Sequence, residues 1–532
     1  MSNRHGNFYV FSPLLCLATA FVGGIAVRLS PQAWWFFAGC GGLLGAFGIR
    51  SRRGRRRCLA LLCVFVLGYL RVAMTQVPLG DDYRMALLHP QCFATLKLVI
   101  RDAPLREGAL AELDAGRGGL EAQIFAIQTS FDNGFRNASG RVALLPAYEV
   151  RQEMRDLRPG TGLLAQGVLM PLQSDGSQES SFGGFLRSRG LFHQFDVDSY
   201  EIIEPPPLGA AFRLRLWFRE IRAHVANRLV RNVESKDAAR LLLALGLGMG
   251  EFIPRETRER QMVSGTVHAF AISGMHIGMA ALLFAFLLRW SGLPLTAQRI
   301  ALGVLTAGYV LLTGASISSL RALWMVLLAL YAAARSRPAA WLNALGCAAL
   351  VALTLNPWQL LDLGFLYSHL TVMVLLTSAP AIQFHARLLC ERDHFLPREL
   401  RHRRRTALTK WFIGSLEASV VAWLGTLGIS LHFNARLSCG AFLLNLPLGI
   451  LVAAVLALCP VRLLLGVLFP GADGCWAKCL ALLMQLAEAV AESGYASGFE
   501  FTVPLWSLRG AVIYYIIFFV SIFYIYFKTP RG

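Results

Sequence analysis

The stretch GTVHAFAISGMHIGMAALLFAFLLRW, residues 265–290, decides how the rest of the chain is interpreted. Its second half is apolar enough for a membrane helix, whereas its first half carries two histidines and a Ser-Gly pair. We predict a helix over residues 268–290 that is kinked or unwound at Ser273-Gly274, because such a pair allows a helix to bend. Polar side chains inside a bilayer usually face the bundle interior or a water-filled path. The alternative is a close polar helix–helix contact, which small residues permit.

The composition of the chain is that of a membrane protein, since 55% of its 532 residues are hydrophobic and 16% are charged. Soluble domains carry roughly 25% charged residues. Apolar runs of about 17 to 25 residues can cross a bilayer. The candidates are 8–27, 33–49, 58–74, 268–290, 296–313, 317–335, 341–356, 361–380, 412–432, 441–460 and 510–527, with 475–492 less clear. We predict a polytopic α-helical membrane protein with ten to twelve spans, whose first run is an anchor and not a cleaved signal peptide.

The distribution of arginine predicts the orientation, because cytoplasmic loops hold an excess of Lys and Arg. Residues 50–57 contain six arginines and no acid, and residues 385–410 contain eight Lys or Arg against three acids. If both loops are cytoplasmic, the amino and carboxyl termini are cytoplasmic too. Residues 75–240 then lie outside the membrane.

Between residues 77 and 207 the pattern changes to short alternating segments. Five strands are readable, namely CFATLKLVI, LEAQIFAIQT, GRVALLPAY, TGLLAQGVLM and FHQFDVDSYEII, with RNASG, LRPG and SDGSQ as turns. They predict a small closed β-barrel of the OB-like kind, a fold that often binds oligonucleotides. From Thr75 to Ala210, however, 12 Lys or Arg stand against 17 Asp or Glu, a net charge of −5. Single-strand binders normally have a positive groove, so we expect weak binding, and a structural role and a nucleic-acid platform both stay open.

A basic segment follows the predicted barrel. Residues 212–240 hold eight Lys or Arg against three acids, and apolar residues recur at helical spacing (Leu214, Trp217, Phe218, Ile221, Val225 and Leu229). This pattern predicts an amphipathic helix over residues 208–240. The helix either lies on the membrane surface and pairs with lipid phosphates or attracts a polyanion toward the following spans. The candidate phosphate-attracting residues are Arg213, Arg215, Arg219, Arg222, Arg228 and Arg231.

Several motifs resemble, in order, the ComEC competence-protein family. They are LLLALGLGMGEFIPRETRERQMVSGTVHAFAISGMHIGM (241–279), LTGASISSLRALWMVLL (312–328), LDLGFLYSHLTVMVLL (361–376) and ASVVAWLGTLGISLHFNARLSCGAFLLNLPLGILV (418–452). FGGFLRSRGLFHQFDV (182–197) resembles the end of the family's extracellular OB-like domain. The resemblance implies a channel in the bacterial inner membrane that passes single-stranded DNA into the cytoplasm during natural transformation.

The resemblance and the patterns together predict four regions. These are membrane anchor helices at 1–76, the OB-like barrel at 77–207, the basic helix at 208–240 and a ComEC-type channel domain at 241–532. Longer family members end in a metallo-β-lactamase-like nuclease domain with an HxHxDH-type motif, which this sequence lacks. We therefore expect a form without its own nuclease.

Seven residues in the apolar runs are candidates for lining the DNA path: His268, Ser273, Gly274, His276, Arg321, Asp362 and Glu417. Arg321 is the candidate cation, because a guanidinium suits phosphate by its fork geometry and permanent charge. Alternatively, the Arg321 side chain extends to the outer lipid headgroups, or it pairs with Asp362 or Glu417. His268 and His276 lie eight residues apart, about 12 Å on a straight helix, too far for one shared metal ion. We predict no metal, no cofactor and no catalytic residue.

The chain has no GxxxxGK[ST] nucleotide-binding loop, so the energy for transport would come from a partner such as a cytoplasmic helicase or translocase. The other predicted partners are single-stranded DNA, membrane lipids, an extracytoplasmic DNA receptor and a separate nuclease. Two alternatives stay open. One is a channel or transporter for another solute on the same fold, and the other is an intramembrane enzyme that uses His268, Ser273 and His276 as reactive groups.

Overall fold

The structure is a computed structural model. It describes residues 13–29, 52–76, 92–105, 108–113, 119–129, 134–171, 186–391, 403–434, 436–498 and 500–528. The predicted span 33–49, the SDGSQ turn and the middle of the 385–410 loop lie outside the described residues. The chain forms two compact units. The first contains residues 13–228 and 346–365, and the second contains residues 229–345 and those from 366 onward.

The α-helices of the described residues are α1 (Pro13–Leu29), α2 (Arg52–Gln76), α3 (Ala109–Leu113), α4 (Arg151–Arg155), α5 (Ala210–Val230), α6 (Lys236–Leu247), α7 (Arg255–Val263), α8 (Gly274–Leu288), α9 (Leu295–Leu312), α10 (Ile317–Ala334), α11 (Trp341–Leu355), α12 (Leu363–Glu391), α13 (Arg403–Phe433), α14 (Ala441–Leu468), α15 (Asp473–Ala496) and α16 (Leu508–Lys528). The strands are β1 (Cys92–Asp102), β2 (Leu120–Thr129), β3 (Arg136–Pro146), β4 (Gly162–Pro171), β5 (His193–Ile203), β6 (Arg436–Ser438) and β7 (Glu500–Thr502).

Six helices of the described part are long and apolar enough to cross a membrane: Leu295–Leu312, Ile317–Ala334, Leu363–His385, Thr409–Phe433, Ala441–Gly466 and Asp473–Ala496. Shorter apolar helices cover Pro13–Arg28, Ala60–Val72, Gly274–Leu288, Trp341–Leu355 and Leu508–Ile522. Each of these helices overlaps a predicted apolar run. The helices therefore fit a polytopic membrane protein.

Strands β1 to β5 close into a barrel in the order β1-β2-β3-β5-β4. Neighbouring strands are antiparallel except β3 and β5, which are parallel, and β4 pairs back onto β1. The inward side chains alternate along each strand and form one core, which includes Leu96, Leu98, Ile124, Val142 and Phe195. The five strands were predicted from this alternation. Their order and closure are compatible with an OB-like domain.

The predicted turn RNASG is wrong, because residues 136–140 form the first half of β3. Arg136 pairs with Ile127, and Gly140 pairs with Ile124. A register shift between Ile124 and Ala126 absorbs one extra residue of β3. Continuous pairing with β2 outweighs the turn preference of Asn, Ser and Gly, which is a weak local signal.

The predicted continuous helix at 208–240 is two helices, α5 and α6. Between them Asn232 has a positive φ of 61°, a left-handed conformation that asparagine tolerates better than most residues. Ser235 then begins α6, because its side chain accepts from the backbone N–H of Ala238 at 3.3 Å. The expected apolar stripe is also only partly buried, since Leu214 and Trp217 are exposed.

The site lies in the second unit, where α8 packs against α9 and α10. A small apolar cluster joins them and contains Ile272, Ile277, Val310, Ala322 and Leu323. This packing places the start of α8 beside the first turns of α10.

Candidate functional site

Helix α8 begins at Gly274 and not at residue 268, since residues 264–273 form turns and irregular backbone. Ser273 precedes the helix with an extended backbone (φ −114°, ψ 172°). Its N–H donates to Nδ1 of His276 at 3.1 Å, and its hydroxyl lies 2.7 Å from the same nitrogen. The first helical turn therefore bonds back to the residue before it, in the manner of a capping box. The Ser-Gly pair is the start of the helix and not a kink within it.

His268 lies in the turn region before α8 and is exposed. Its ring lies against the side chain of Asn445 and the backbone of Gly265. His276, in contrast, is fully buried. The two histidines therefore do not share a straight helix, and the predicted 12 Å separation does not apply. Among the described residues, no group of three or more His, Cys, Asp or Glu is placed to hold a metal ion.

Arg321 lies in the second turn of α10 and is 6% exposed. One terminal nitrogen, Nη1, donates to the backbone carbonyl of Ser368, whose hydroxyl donates to that of Ser318 at 3.0 Å. The other, Nη2, lies against Gly274, where a Cβ would come within 2.3 Å of it. Within the part of the chain that the structure describes, the buried Nε has no hydrogen-bond partner. The absence of a side chain at Gly274 is what lets the guanidinium reach the start of α8.

No carboxylate among the described residues pairs with Arg321. The amino terminus of α8 lies beside the Arg321 guanidinium. It adds to the positive potential there, because a helix amino terminus carries roughly half a positive charge. A buried cation beside the positive end of a helix is therefore left without negative charge. Such an arrangement is suited to an anion.

Both acids that were offered as partners of this arginine have other partners. Asp362 accepts from the Ser188 hydroxyl at 2.9 Å and from the backbone N–H of Phe365 at 3.1 Å. The second bond caps the first turn of α12. Glu417 on α13 forms a close pair with His385 on α12. Each of these carboxylates therefore has a structural partner other than Arg321.

A second buried arginine, Arg462 on α14, was not among the predicted residues. It is 1% exposed. Its Nε and Nη2 donate to the two carboxylate oxygens of Asp473 at 3.0 and 3.2 Å. Its Nη1 donates to the Leu229 carbonyl at 2.7 Å, and Nη2 also donates to the Arg231 carbonyl. All three nitrogens of Arg462 are engaged.

One signal in the sequence pointed to Arg462. The predicted span ended at residue 460, yet α14 continues to Leu468. The apolar residues VRLLLGVL on both sides of the arginine continue the helical run. An arginine inside such a run is expected to be buried and paired.

The six arginines of the predicted basic helix are divided between different surroundings. Arg215 and Arg219 both bind Asp102 at the end of β1, at 3.0 and 3.2 Å. Arg219 also donates to the carbonyls of Ala103 and Pro104 at 2.8 and 3.3 Å. These two arginines fasten α5 to the barrel. Of the others, Arg213 and Arg231 are exposed, and Arg222 and Arg228 are half-buried.

Apolar helices, a separate barrel and a buried polar cluster define a multi-pass helical membrane protein with an inserted β-domain. A family model described as Competence protein matches residues 245–528, more than half of the chain. The chain therefore belongs to the competence-protein family, which confirms the resemblance to ComEC. The match includes every predicted path residue from His268 to Glu417.

One curated relative is the uncharacterized protein YcaI of Escherichia coli (strain K12), which is 30% identical over 143 residues. The match covers 25% of this chain and 19% of YcaI, so the chain matches about a fifth of that relative's length. No solved structure matches the chain.

Proposed function

We propose that this protein is an inner-membrane channel that passes single-stranded DNA into the cytoplasm during natural transformation. Its membership of the competence-protein family supports a general role in DNA uptake. The observation that carries the finer proposal is the buried Arg321, which has no acid partner among the described residues.

Burying a charge without a partner is unfavourable, because the charge loses its hydration. An unpaired ion in a low-dielectric interior costs several kcal/mol even after relaxation. A carboxylate would remove that cost, but it would also occupy the guanidinium permanently. A phosphodiester that arrives, binds and moves on removes the cost only while it is present. Arg321 therefore favours a passing anion at membrane depth over a permanent partner.

The residues around Arg321 set its position. The Ser273–His276 cap fixes where α8 begins, and Gly274 leaves the space that Nη2 occupies. The hydroxyls of Ser318 and Ser368 offer polar groups along the same wall. His268 is exposed in the segment that precedes α8. In the proposal these groups hydrate and guide the strand and make no covalent bond. Asp362 and Glu417 act by holding α12 and α13 in place.

The proposal includes the orientation and the partners. Residues 75–240 lie outside the inner membrane, and both termini are cytoplasmic. A cytoplasmic helicase or translocase supplies the energy, a separate nuclease removes the complementary strand, and an extracytoplasmic receptor delivers the DNA. Cysteines introduced at Gln173 and His402 test the orientation. A membrane-impermeant thiol reagent should label position 173 from the outside only, and the reverse pattern would contradict it.

The test of transport is the import of labelled DNA in a transformable strain whose own gene is deleted. Arg321→Gln should lower import by about tenfold or more, since tenfold corresponds to only 1.4 kcal/mol. Arg335→Gln is the matched control, because Arg335 directly follows α10 but is exposed. Its guanidinium carbon lies 5.5 Å from the centre of the Tyr331 ring. Normal import by Arg321→Gln, at normal protein amount, would exclude this arginine from the path.

One contact also favours the enzyme alternative. The Ser273 hydroxyl lies 2.7 Å from His276 Nδ1, which is the reach of a nucleophile–base pair. However, the Ser273 N–H donates to the same nitrogen, and Nε2 of His276 has no partner among the described residues that would orient it. A fluorophosphonate probe decides between the two. Labelling of wild-type protein that is lost in Ser273→Ala would support an enzyme, and absence of labelling supports the helix cap.

A further inference from the structure

Arginines gather at one end of the barrel, where β1 ends. Arg101 on β1 and Arg141 on β3 lie on the outward side of their strands, because the residues next to them along each strand belong to the barrel core. Arg215 on α5 stands close by, since its charge and that of Arg141 both act on Arg101. These three residues, Arg101, Arg141 and Arg215, are called the arginine cluster below.

Two acids, Glu121 and Asp102, lie within electrostatic reach of the cluster, and both form ion pairs. Glu121 binds Arg189 at 2.9 Å. Asp102 binds both Arg215 and Arg219, at 3.0 and 3.2 Å. Asp102 therefore divides one negative charge between two guanidinium groups, and the negative charge of Glu121 is paired outside the cluster.

Arg101 and Arg141 keep a positive charge that the two acids do not cancel. In the described part of the chain, no ion pair joins either of them to a carboxylate, and the buried Nε of Arg101 has no hydrogen-bond partner. Burial, followed by the charges of Arg141 and Arg215, lowers the pKa of Arg101 to about 10. The two acids act in the opposite direction but do not offset this change. The field at this end of the barrel therefore favours an added anion.

The same end of the barrel is bonded to the end of an apolar helix. Asn356 directly follows α11, and its side-chain amide donates to the carbonyl of Ser188. Arg141 donates to the carbonyl of the next residue, Arg189, at 3.1 Å. Two hydrogen bonds and one peptide unit therefore connect Arg141 to the end of α11.

The end of α11 marks the level of the lipid headgroups, because an apolar helix that enters a bilayer ends near the interface. Leu355, its last residue, is 72% exposed. Arg71 on α2 donates to the carbonyls of Thr354 and Leu355 at 2.7 and 3.1 Å. Arginines near helix ends are typical of this level, since their side chains extend to the headgroups. The arginine cluster, which is linked to the same helix end, therefore lies within reach of lipid phosphates.

Helix α5 indicates the same level independently. Arg215 and Arg219 join α5 to the barrel through Asp102, whereas Leu214 and Trp217 are each 54% exposed. Tryptophan is enriched at membrane–water interfaces, because its ring is apolar and its N–H is polar. A helix that combines exposed Leu and Trp with arginines is typical of the headgroup region.

We infer that the arginine cluster binds the phosphate of an anionic phospholipid in the leaflet that faces the barrel. A guanidinium suits phosphate, because its N–H groups form parallel, charge-assisted hydrogen bonds with two oxygens. The headgroup supplies the negative charge that Arg101 and Arg141 lack, and the bound lipid fastens the barrel to the membrane surface. The inference goes beyond the proposed function, since it does not depend on DNA import.

A nucleic-acid strand suits the cluster less well than a lipid. A strand extends over several nucleotides and meets the net charge of −5 of residues 75–210, whereas one headgroup contacts the cluster alone. Lipid is also always present at the end of a membrane helix. These two differences favour a phospholipid as the occupant.

The experiment uses the full chain in nanodiscs of phosphatidylcholine to which phosphatidylglycerol is added in increasing amounts. Native mass spectrometry counts the phosphatidylglycerol molecules that each protein retains. The double variant Arg101→Gln/Arg141→Gln should lose one retained molecule, with an apparent affinity lower by about tenfold or more. Each arginine beside an anionic headgroup contributes about a fivefold factor to binding.

Two further double variants separate the site from net charge and from misfolding. Lys97→Gln/Arg136→Gln removes two exposed cations from the same two strands, β1 and β3, and should retain the lipid within about twofold of wild type. Arg101→Lys/Arg141→Lys keeps both charges and should retain most of the affinity. Lipid retention by the Gln pair, equal loss in the Lys97 and Arg136 pair, or full loss in the Lys pair would overturn the inference.

Two competitors identify the source of the phosphate. Inorganic phosphate and an oligothymidylate, each added in the same molar amount as phosphatidylglycerol, should leave the retained lipid in place. Displacement by inorganic phosphate would assign the cluster to a free anion, and displacement by the oligothymidylate would assign it to a strand. Either result would overturn the lipid site.

Discussion

Arg321 and Arg462 are both arginines buried in long apolar helices of the second unit, but their surroundings differ. Arg462 has a bidentate acid, Asp473, and two carbonyl oxygens, so each of its nitrogens donates. Among the residues that the structure describes, Arg321 has one carbonyl partner, and its Nε has none. A saturated arginine holds helices together, whereas an unsaturated one is available to a ligand. The role of a buried arginine therefore follows from its hydrogen-bond partners and not from its burial alone.

The largest effect is expected at the saturated arginine. Arg462→Gln removes the ion pair, leaves the Asp473 carboxylate with the Asn232 amide as its donor, and takes the guanidinium away from the carbonyls of Leu229 and Arg231. Breaking one side of a buried pair typically costs about 3 to 5 kcal/mol. Chemical unfolding in detergent and the amount of protein in the membrane measure this loss. Unfolding at the wild-type midpoint would show that the clamp contributes little.

His193 offers a contrast with the two buried arginines, because a buried histidine can lose its proton and become neutral. His193 in the barrel is almost fully buried, and burial lowers its pKa to about 4. An unfolded histidine has a pKa near 6.5, so its neutral burial is fully tolerated above that pH. Between pH 6.5 and 4 the unfolded state binds more protons, and stability falls by up to about 3 kcal/mol.

Melting curves at several pH values check the histidine prediction. His193→Asn should flatten the fall in stability between pH 6.5 and 4 relative to wild type, because the amide does not titrate. Carboxylates contribute to both curves and cancel in the difference. Parallel curves for the two proteins would show that this histidine does not control acid stability.

A single methyl group at the start of α8 provides the next test. In Gly274→Ala the new Cβ would come within 2.3 Å of Arg321 Nη2 and displace the guanidinium. Alanine is otherwise favourable in a helix, so stability should hold while DNA import falls by about tenfold, or 1.4 kcal/mol. Gly278→Ala is the control, because nothing lies within 4 Å of its Cβ. Equal import by the two variants would remove Gly274 from the account.

The smallest effect is expected where arginines and their acid are exposed. Asp102→Asn weakens the contacts of Arg215 and Arg219 that fasten α5 to the barrel. Exposed ion pairs contribute roughly 0 to 1 kcal/mol, so the melting temperature should fall slightly. The fall should shrink in high salt, which screens such pairs. A loss as large as that of Arg462→Gln would mean that this junction carries much of the stability.

Particular residues show what the sequence could predict. Alternation at Leu96 and Leu98 gave the strands, because one face of each must be buried. Arg321 was found because an isolated cation in an apolar run is unusual. Arg462 was missed because its span was ended at residue 460, although the apolar run continues. The predicted kink at Ser273-Gly274 was the start of a helix, since sequence shows that a helix is interrupted but not on which side it resumes.

The partners of the buried side chains were beyond prediction. Ser368 lies 47 residues after Arg321 in the sequence, and Gly274 lies on a different helix. Their contacts with Arg321 therefore form only through packing. The same is true of Asp473 and the end of α5 around Arg462. Pattern reasoning can locate a buried charge, but it cannot show whether the charge is satisfied.

The central claim is that the imported strand passes Arg321, and covalent trapping measures this directly. The variant Arg321→Lys places a primary amine at this position and keeps the charge. A single strand that contains an abasic site is stalled during import by a bulky protein at one end, and cyanoborohydride reduces any imine formed between the amine and the abasic aldehyde. The account predicts an adduct on the peptide that contains position 321, absent from wild type and from Arg462→Lys. Import of the strand by Arg321→Lys without an adduct at position 321, or an equal adduct at position 462, would contradict it.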